Sequence, residues 1–129
     1  MVQAGKVLCA FLVLGGLSTS AIAEPNGAEI GYKEGALGYA ALTSGDYRRA
    51  EAQLNRLDGV EKDDPARLIN LGQVYAKTGR HEEAQRAYIA AIKSGKSFDV
   101  VLSDGRIVSS KDAARMALAN LPGNFAATP

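Results

Sequence analysis

The sequence predicts an all-α chain in which two helix–turn–helix units stack as a short α-solenoid. Three observations carry this. Residues return at a fixed offset of 34: Leu37 and Leu71, Gly38 and Gly72, Gly45 and Gly79, Ala50 and Ala84, Leu54 and Tyr88. A period of this length is the mark of a repeat architecture. In the later copy, Leu68, Leu71, Gly72 and Tyr75 step at i, i+3, i+4 and i+7, which is one face of a helix. The break points also suit helices: Asp64-Pro65 offers an N-cap and a proline at the first helical position, and Gly79 can take the left-handed conformation that ends a helix.

Taken in chain order, residues 1–6 carry one positive charge, Lys6, and residues 7–17 are almost unbroken apolar sequence. That run is too short to span a bilayer as a helix. Small and polar residues follow, ending Ala21-Ile22-Ala23, so residues 1–23 read as a signal peptide cleaved after Ala23, and the protein as periplasmic or secreted. An uncleaved anchor is the competing reading. Cys9 stands at the start of the apolar run behind Lys6, Val7 and Leu8, where a lipidation site would want a small residue at the end of the run. Cys9 is the only cysteine, so a cleaved chain has neither disulfides nor thiolate metal sites. The chain has 15 Lys and Arg against 14 Asp and Glu, and losing Lys6 balances them. A nucleic-acid-binding domain usually shows a basic excess, so that class is set aside. After cleavage no other segment is suited to a membrane.

Residues 24–30 are expected to be extended. Residues 31–64 form the first unit, with helices over 30–43 and 47–57, and residues 65–98 form the second, with helices over 65–78 and 81–94. The first helix is weak, because Gly31, Gly35 and Gly38 each cost about 1 kcal/mol relative to Ala inside a helix. Its start is expected to fray. Gly45 and Gly79 break the helices, and the polar residues after them restart the chain. Gly38, Gly72, Ala50, Ala84 and Ala91 are small where paired helices approach, and Tyr75 and Tyr88 fill the wider gaps.

The period ends near Ser94. Residues 99–110 carry apolar residues on both sides of Asp104-Gly105. A two-residue Asp-Gly loop signals a hairpin, pairing Leu102 with Ile107 and Val101 with Val108; an extended loop is the alternative. Ser109 and Asp112 form a capping box that opens a helix over 111–121, with Ala114, Ala117, Leu118 and Leu121 on one stripe. Residues 122–129 follow as a flexible tail. Stacked repeats usually need about three units, and here there are two. The helix over 111–121 is therefore expected to cap the open end; self-association there as a homodimer is the competing solution.

The second copy, Leu68, Leu71-Gly72, Tyr75, Gly79, Ala84, Tyr88 and Ala91, resembles the tetratricopeptide repeat in residue type and spacing. The first copy, Leu37-Gly38, Ala41, Gly45, Ala50 and Leu54, is similar to it but departs at Glu34 and Leu57. Lys62 and Lys96 stand where the family usually has proline. The resemblance covers about residues 31 to 96, and it implies that the first helix of each unit lines a concave surface receiving peptides or partner helices. Carried over, that surface is Tyr32, Gly35, Ala36, Tyr39, Leu42 and Thr43, then Ala66, Ile69, Asn70, Gln73, Ala76 and Lys77. Tyr32, Tyr39, Leu42 and Ile69 lie mostly off the core stripe and form the expected partner-facing patch, with Asn70, Gln73 and Lys77 as its polar members. The plainer reading packs the tyrosines on residues 24–30. Some members of the family clamp a partner's terminal carboxylate. Asn70 fits one position of such a clamp, but Gly35 and Tyr39 occupy places that want Lys and Asn.

No residue set points to catalysis, a cofactor or a metal. His81, the only histidine, opens a helix where this family often carries an aromatic residue or histidine. Gly95-Lys96-Ser97 imitates the end of a phosphate loop, but position 90 is Ala and the segment follows a helix. Glu82-Glu83 and Asp63-Asp64 suit helix starts, and Ser109-Ser110-Lys111 suits capping. The expected function is an exported interaction module that binds a segment of another envelope protein. The alternative is a homo-oligomeric assembly protein that uses the hairpin and last helix.

Overall fold

The computed structural model describes residues 8–10, 31–102 and 104–123 of the chain. The expected segment at 24–30, most of the leader and the tail from 124 lie outside the described residues. Strand β1 is Leu8–Ala10. Helices α1 Tyr39–Thr43, α2 Tyr47–Asn55, α3 Pro65–Lys77 and α4 His81–Lys93 follow. Strands β2 Asp99–Leu102 and β3 Ile107–Ser109 and helix α5 Ser110–Ala119 complete the order.

The fold is mostly helical, and the α3–α4 pair is its centre. Asp64 caps α3: its Oδ1 accepts from the N–H of Ala66 at 2.9 Å and of Arg67 at 3.3 Å, with Pro65 at the first helical position. Gly79 turns the chain at φ 78°, and the Arg80 N–H returns to the Tyr75 carbonyl at 2.8 Å. α4 then runs back along α3. They meet at Gly72, where an added Cβ would lie 2.4 Å from Cε1 of Tyr88. The Tyr88 ring rests on bare backbone. At Gly38 an added Cβ would lie 3.0 Å from the Ala50 carbonyl oxygen, so α1 approaches α2 through small residues as well.

The first helix is much shorter than 30–43. Gly31, Gly35 and Gly38 have φ of 88°, 77° and 63°, so each leaves the right-handed helical region, and α1 begins only after Gly38. Residues 31–37 instead form a strap of turns that carries Ala36 and Leu37 into the core. α2 stops at Asn55 rather than 57, because Leu57 takes φ 53°, a left-handed conformation that a branched side chain rarely adopts.

The hairpin is present, but in a different register. Val101 pairs with Ile107 and Val100 with Val108. The Gly105 N–H bonds the Leu102 carbonyl and the Leu102 N–H bonds the Arg106 carbonyl, which closes the turn with Gly105 at φ 84°. A two-residue type I′ loop on Asp104-Gly105 needs both residues left-handed, and of these two Gly105 alone is. Val100 and Leu102 point into the core while Ile107 stays exposed. β1 adds to the other edge of β2 in parallel.

Ser109 caps α5: its Oγ accepts from the Asp112 N–H at 3.0 Å and donates to Asp112 Oδ2 at 2.8 Å. It packs on α4 and α3 through Ala113, Ala114 and Ala117. One core cluster joins Leu37, Ile69, Ala84, Tyr88, Val100 and Ala114 among others; a smaller one holds Ala41, Ala50, Leu54, Leu71 and Val74.

Candidate functional site

The expected concave face divides in two. In its first half the chain fills its own groove. Ile69 has no exposed surface and sits in the same core cluster as Leu37, so the expectation that it lies off the core is corrected: the strap left by the broken first helix covers it. Asn70 is buried, and its Nδ2 donates to the Leu37 carbonyl at 2.9 Å. That amide pins the strap. Tyr32 donates its hydroxyl to the Asp64 carboxylate, at 3.0 Å to Oδ2 and 3.2 Å to Oδ1. Burial and then the Asp64 charge push its phenol pKa well above the usual range. Tyr39, at the start of α1, is half-buried.

The second half is open. A cleft of about 260 Å³ is lined by Leu42, Thr43, Ser44, Gly45, Tyr47, Gln73 and Lys77. It brings together three of the predicted groove residues, Leu42, Gln73 and Lys77. α1 delivers Leu42 and Thr43 to one wall, the Gly45 turn folds Tyr47 back beside them, and α3 presents Gln73 and Lys77 one helical turn apart. The hydroxyls of Thr43 and Ser44 donate to the Ala40 and Ala41 carbonyls, each at 3.0 Å, which leaves their oxygens as acceptors. Gln73 is only 8% exposed; its side-chain amide makes no hydrogen bond among the described residues, and its polar atoms reach the open cleft. Lys77 is exposed and has no ion pair among them. The walls can thus grip an apolar side chain between Leu42 and Tyr47, a backbone amide at Gln73 and an anionic group at Lys77.

Tyr47 escaped the sequence reading because the resemblance places only the first helix of each unit on the concave face. A signal was available, since Tyr47 stands 34 residues before His81 at the matching helix start. Arg67 was also missed. It is 7% exposed, and donates from Nε to the Leu54 carbonyl at 2.8 Å, from Nη1 to the Lys62 carbonyl at 3.0 Å and from Nη2 to Asn55 Oδ1 at 3.3 Å. It closes the end of α2 and the loop after it, and its burial lowers its pKa. Arg80 makes a two-pronged bond to Glu51, at 3.1 and 2.6 Å, and lies 4.5 Å above the Tyr75 ring centre, tying the two units together.

Of the other sequence candidates, Lys96 pairs with Glu61 and Ser110 accepts from the Phe98 N–H at 3.3 Å, while His81 opens α4 with its Nδ1 buried and making no hydrogen bond among the described residues. Among the described residues no group of three or more His, Cys, Asp or Glu is placed to hold a metal, and no helix is long and apolar enough to cross a membrane. Residues 35–97 match a family model described as tetratricopeptide repeat. No curated protein and no solved structure matches the chain.

Proposed function

The chain belongs to the tetratricopeptide repeat family through residues 35–97, and from that premise we propose an exported adaptor whose open cleft holds a short segment of another envelope protein. The family makes a protein–protein interaction module the coarse reading. The cleft supports the finer one, and the observation that carries it is its lining: Leu42 and Tyr47 beside the Gln73 amide and the exposed Lys77, around space large enough for a side chain. A peptide carbonyl or N–H seated there would bond the Gln73 amide. Leu42 and Tyr47 take the segment's apolar residue and Lys77 its acidic one. Tyr32, Tyr39, Ile69 and Asn70 then serve the site indirectly, by holding the strap that forms the cleft's closed neighbour. In this reading α5 caps the helical stack, and residues 1–23 are the leader that exports it.

The test is capture of partner from the envelope extract of the source organism by the wild-type chain and by Gln73→Ala/Lys77→Glu. The double variant is expected to lose most of the captured partner with its circular dichroism unchanged, and undiminished capture overturns the reading. Ile69 is unsuitable for this test, because truncating it would disturb the core. The homodimer reading has one observation in its favour, the 69% exposure of Ile107 on the hairpin. A monomer by light scattering at tens of micromolar would end it.

A further inference from the structure

β2 has a second edge that the repeat does not use. On one side β2 pairs antiparallel with β3. On the other it pairs in parallel with β1, with Leu8 opposite Val100, Cys9 opposite Val101 and Ala10 opposite Leu102. The Leu102 N–H bonds the Arg106 carbonyl and the Phe98 carbonyl accepts from the Ser110 N–H, so these residues of the β2 line face β3. Backbone groups alternate along a strand, which turns the N–H and C=O of Val101 toward the other edge. Val100 and Leu102 are buried, and α5 lies against β2, so the core fixes the strand. β1 in turn lies against α3.

We propose that the outer edge of β2 is a strand-acceptor site that takes an extended, uncharged apolar segment of a partner protein in parallel register, and that Leu8–Ala10 is the chain's own occupant of it. Occupancy is the first argument: the edge already holds a Leu-Cys-Ala strand in this geometry. The second is where that strand comes from. It belongs to the apolar run at 7–17 that reads as an export leader, and cleavage after Ala23 takes β1 away while β2, β3 and α5 stay. The vacated edge then presents unpaired backbone groups, a template for another strand. The third is direction. Two copies pairing identical edges across a two-fold axis run antiparallel, whereas this seat is parallel, so it suits a strand of different sequence. Main-chain bonds would supply the affinity and the alternate side chains the selectivity. None of the cleft's lining residues is in β2, so this site is separate from the one proposed above.

The test starts from the folded full chain carrying a protease site at the junction of residues 23 and 24, cut once after folding. Fragment 1–23 is expected to stay with the body on gel filtration and to exchange for excess labelled peptide of the sequence Val-Leu-Cys-Ala-Phe. Val101→Pro removes the outward N–H and is expected to weaken that peptide about tenfold or more, roughly the worth of one or two backbone bonds. Should Val101→Pro unfold, Val101→Cys serves instead: in the uncut chain it is expected to form a disulfide with Cys9 on oxidation, whereas Arg106→Cys does not. The proposal is overturned if the fragment elutes alone and the peptide fails to bind the cut body. It is also overturned if the cut body dimerises and excludes the peptide, which gives the edge to a second copy, or if Val101→Cys and Arg106→Cys cross-link equally.

Discussion

At Gly72 one hydrogen atom in place of a methyl group decides how two helices meet. The Tyr88 ring occupies the volume that a Cβ would need, 2.4 Å away. Gly72→Ala is therefore expected to overpack the α3–α4 contact and cost about 1–3 kcal/mol in urea unfolding. Combining it with Tyr88→Leu should recover part of that loss, because the two changes share one contact and do not add. Tyr88 makes a second prediction. Burial raises its phenol pKa, while in the unfolded chain it titrates near its ordinary value of about 10. Its neutral form thus favours folding fully below that pH. Above it the unfolded chain ionises first, and stability falls as pH rises toward the folded value. Tyr88→Phe should flatten the decline of melting temperature between pH 9 and 11 seen in the wild type; identical declines would contradict the assignment. Leu57 lies in left-handed backbone with its side chain 38% exposed, so replacing it sacrifices little packing. Leu57→Asn should gain up to about 1 kcal/mol by relieving that backbone.

Among the elements, α3 shows how much was legible. Its Asp64 cap, Pro65 start, buried stripe and Gly79 stop all followed from local chemistry, and each residue acts on its immediate neighbours. α1 was legible only as a weakness. The glycine count predicted fraying, but not that the frayed segment would fold back as a strap and bury Leu37 against Ile69. That outcome depends on a contact between residues far apart in sequence, made by the Asn70 amide to the Leu37 carbonyl. The hairpin was found from Asp104-Gly105, while its register turned on whether one residue or two became left-handed, a choice the dipeptide alone does not make. The cleft was half legible for a related reason: Leu42, Gln73 and Lys77 follow from the repeat, whereas Tyr47 enters only through the bend at Gly45. The strap and α3 meet at Asp64, which caps the helix and receives the Tyr32 hydroxyl. Asp64→Ala should cost about 1–2 kcal/mol from the lost cap alone. Asp64→Asn keeps an acceptor and should recover most of it. If the two variants melt together, the cap is not what Asp64 contributes.

On the scale of the whole molecule, the question is how two repeats suffice. A stack this short leaves one face of α4 without a repeat to cover it, and α5 lies there with Ala113, Ala114 and Ala117 buried and Leu121 just beyond its end. Removing these side chains from water is worth about 4–5 kcal/mol, taking roughly 0.8 for each alanine methyl and 1.5–3 for the leucine. A small domain has only about 5–15 kcal/mol in total, so the helix accounts for a large share. Ending the chain after Ser109 should therefore abolish or broaden the cooperative thermal transition, and the bare α4 face should bind a hydrophobic dye. Ala114→Asp, which puts a charge at a position without exposed surface, should reproduce the defect in the full-length chain. Should the shortened chain melt sharply within a few degrees of the intact one, the two repeats would be self-sufficient and α5 would need another explanation. The same pair of variants bears on the edge of β2, since α5 holds that strand from behind. A chain that has lost α5 should also lose its grip on the β1 fragment, while the helical cleft at Leu42, Tyr47 and Gln73, formed by α1, the start of α2 and α3, is expected to outlast it in any variant that still folds.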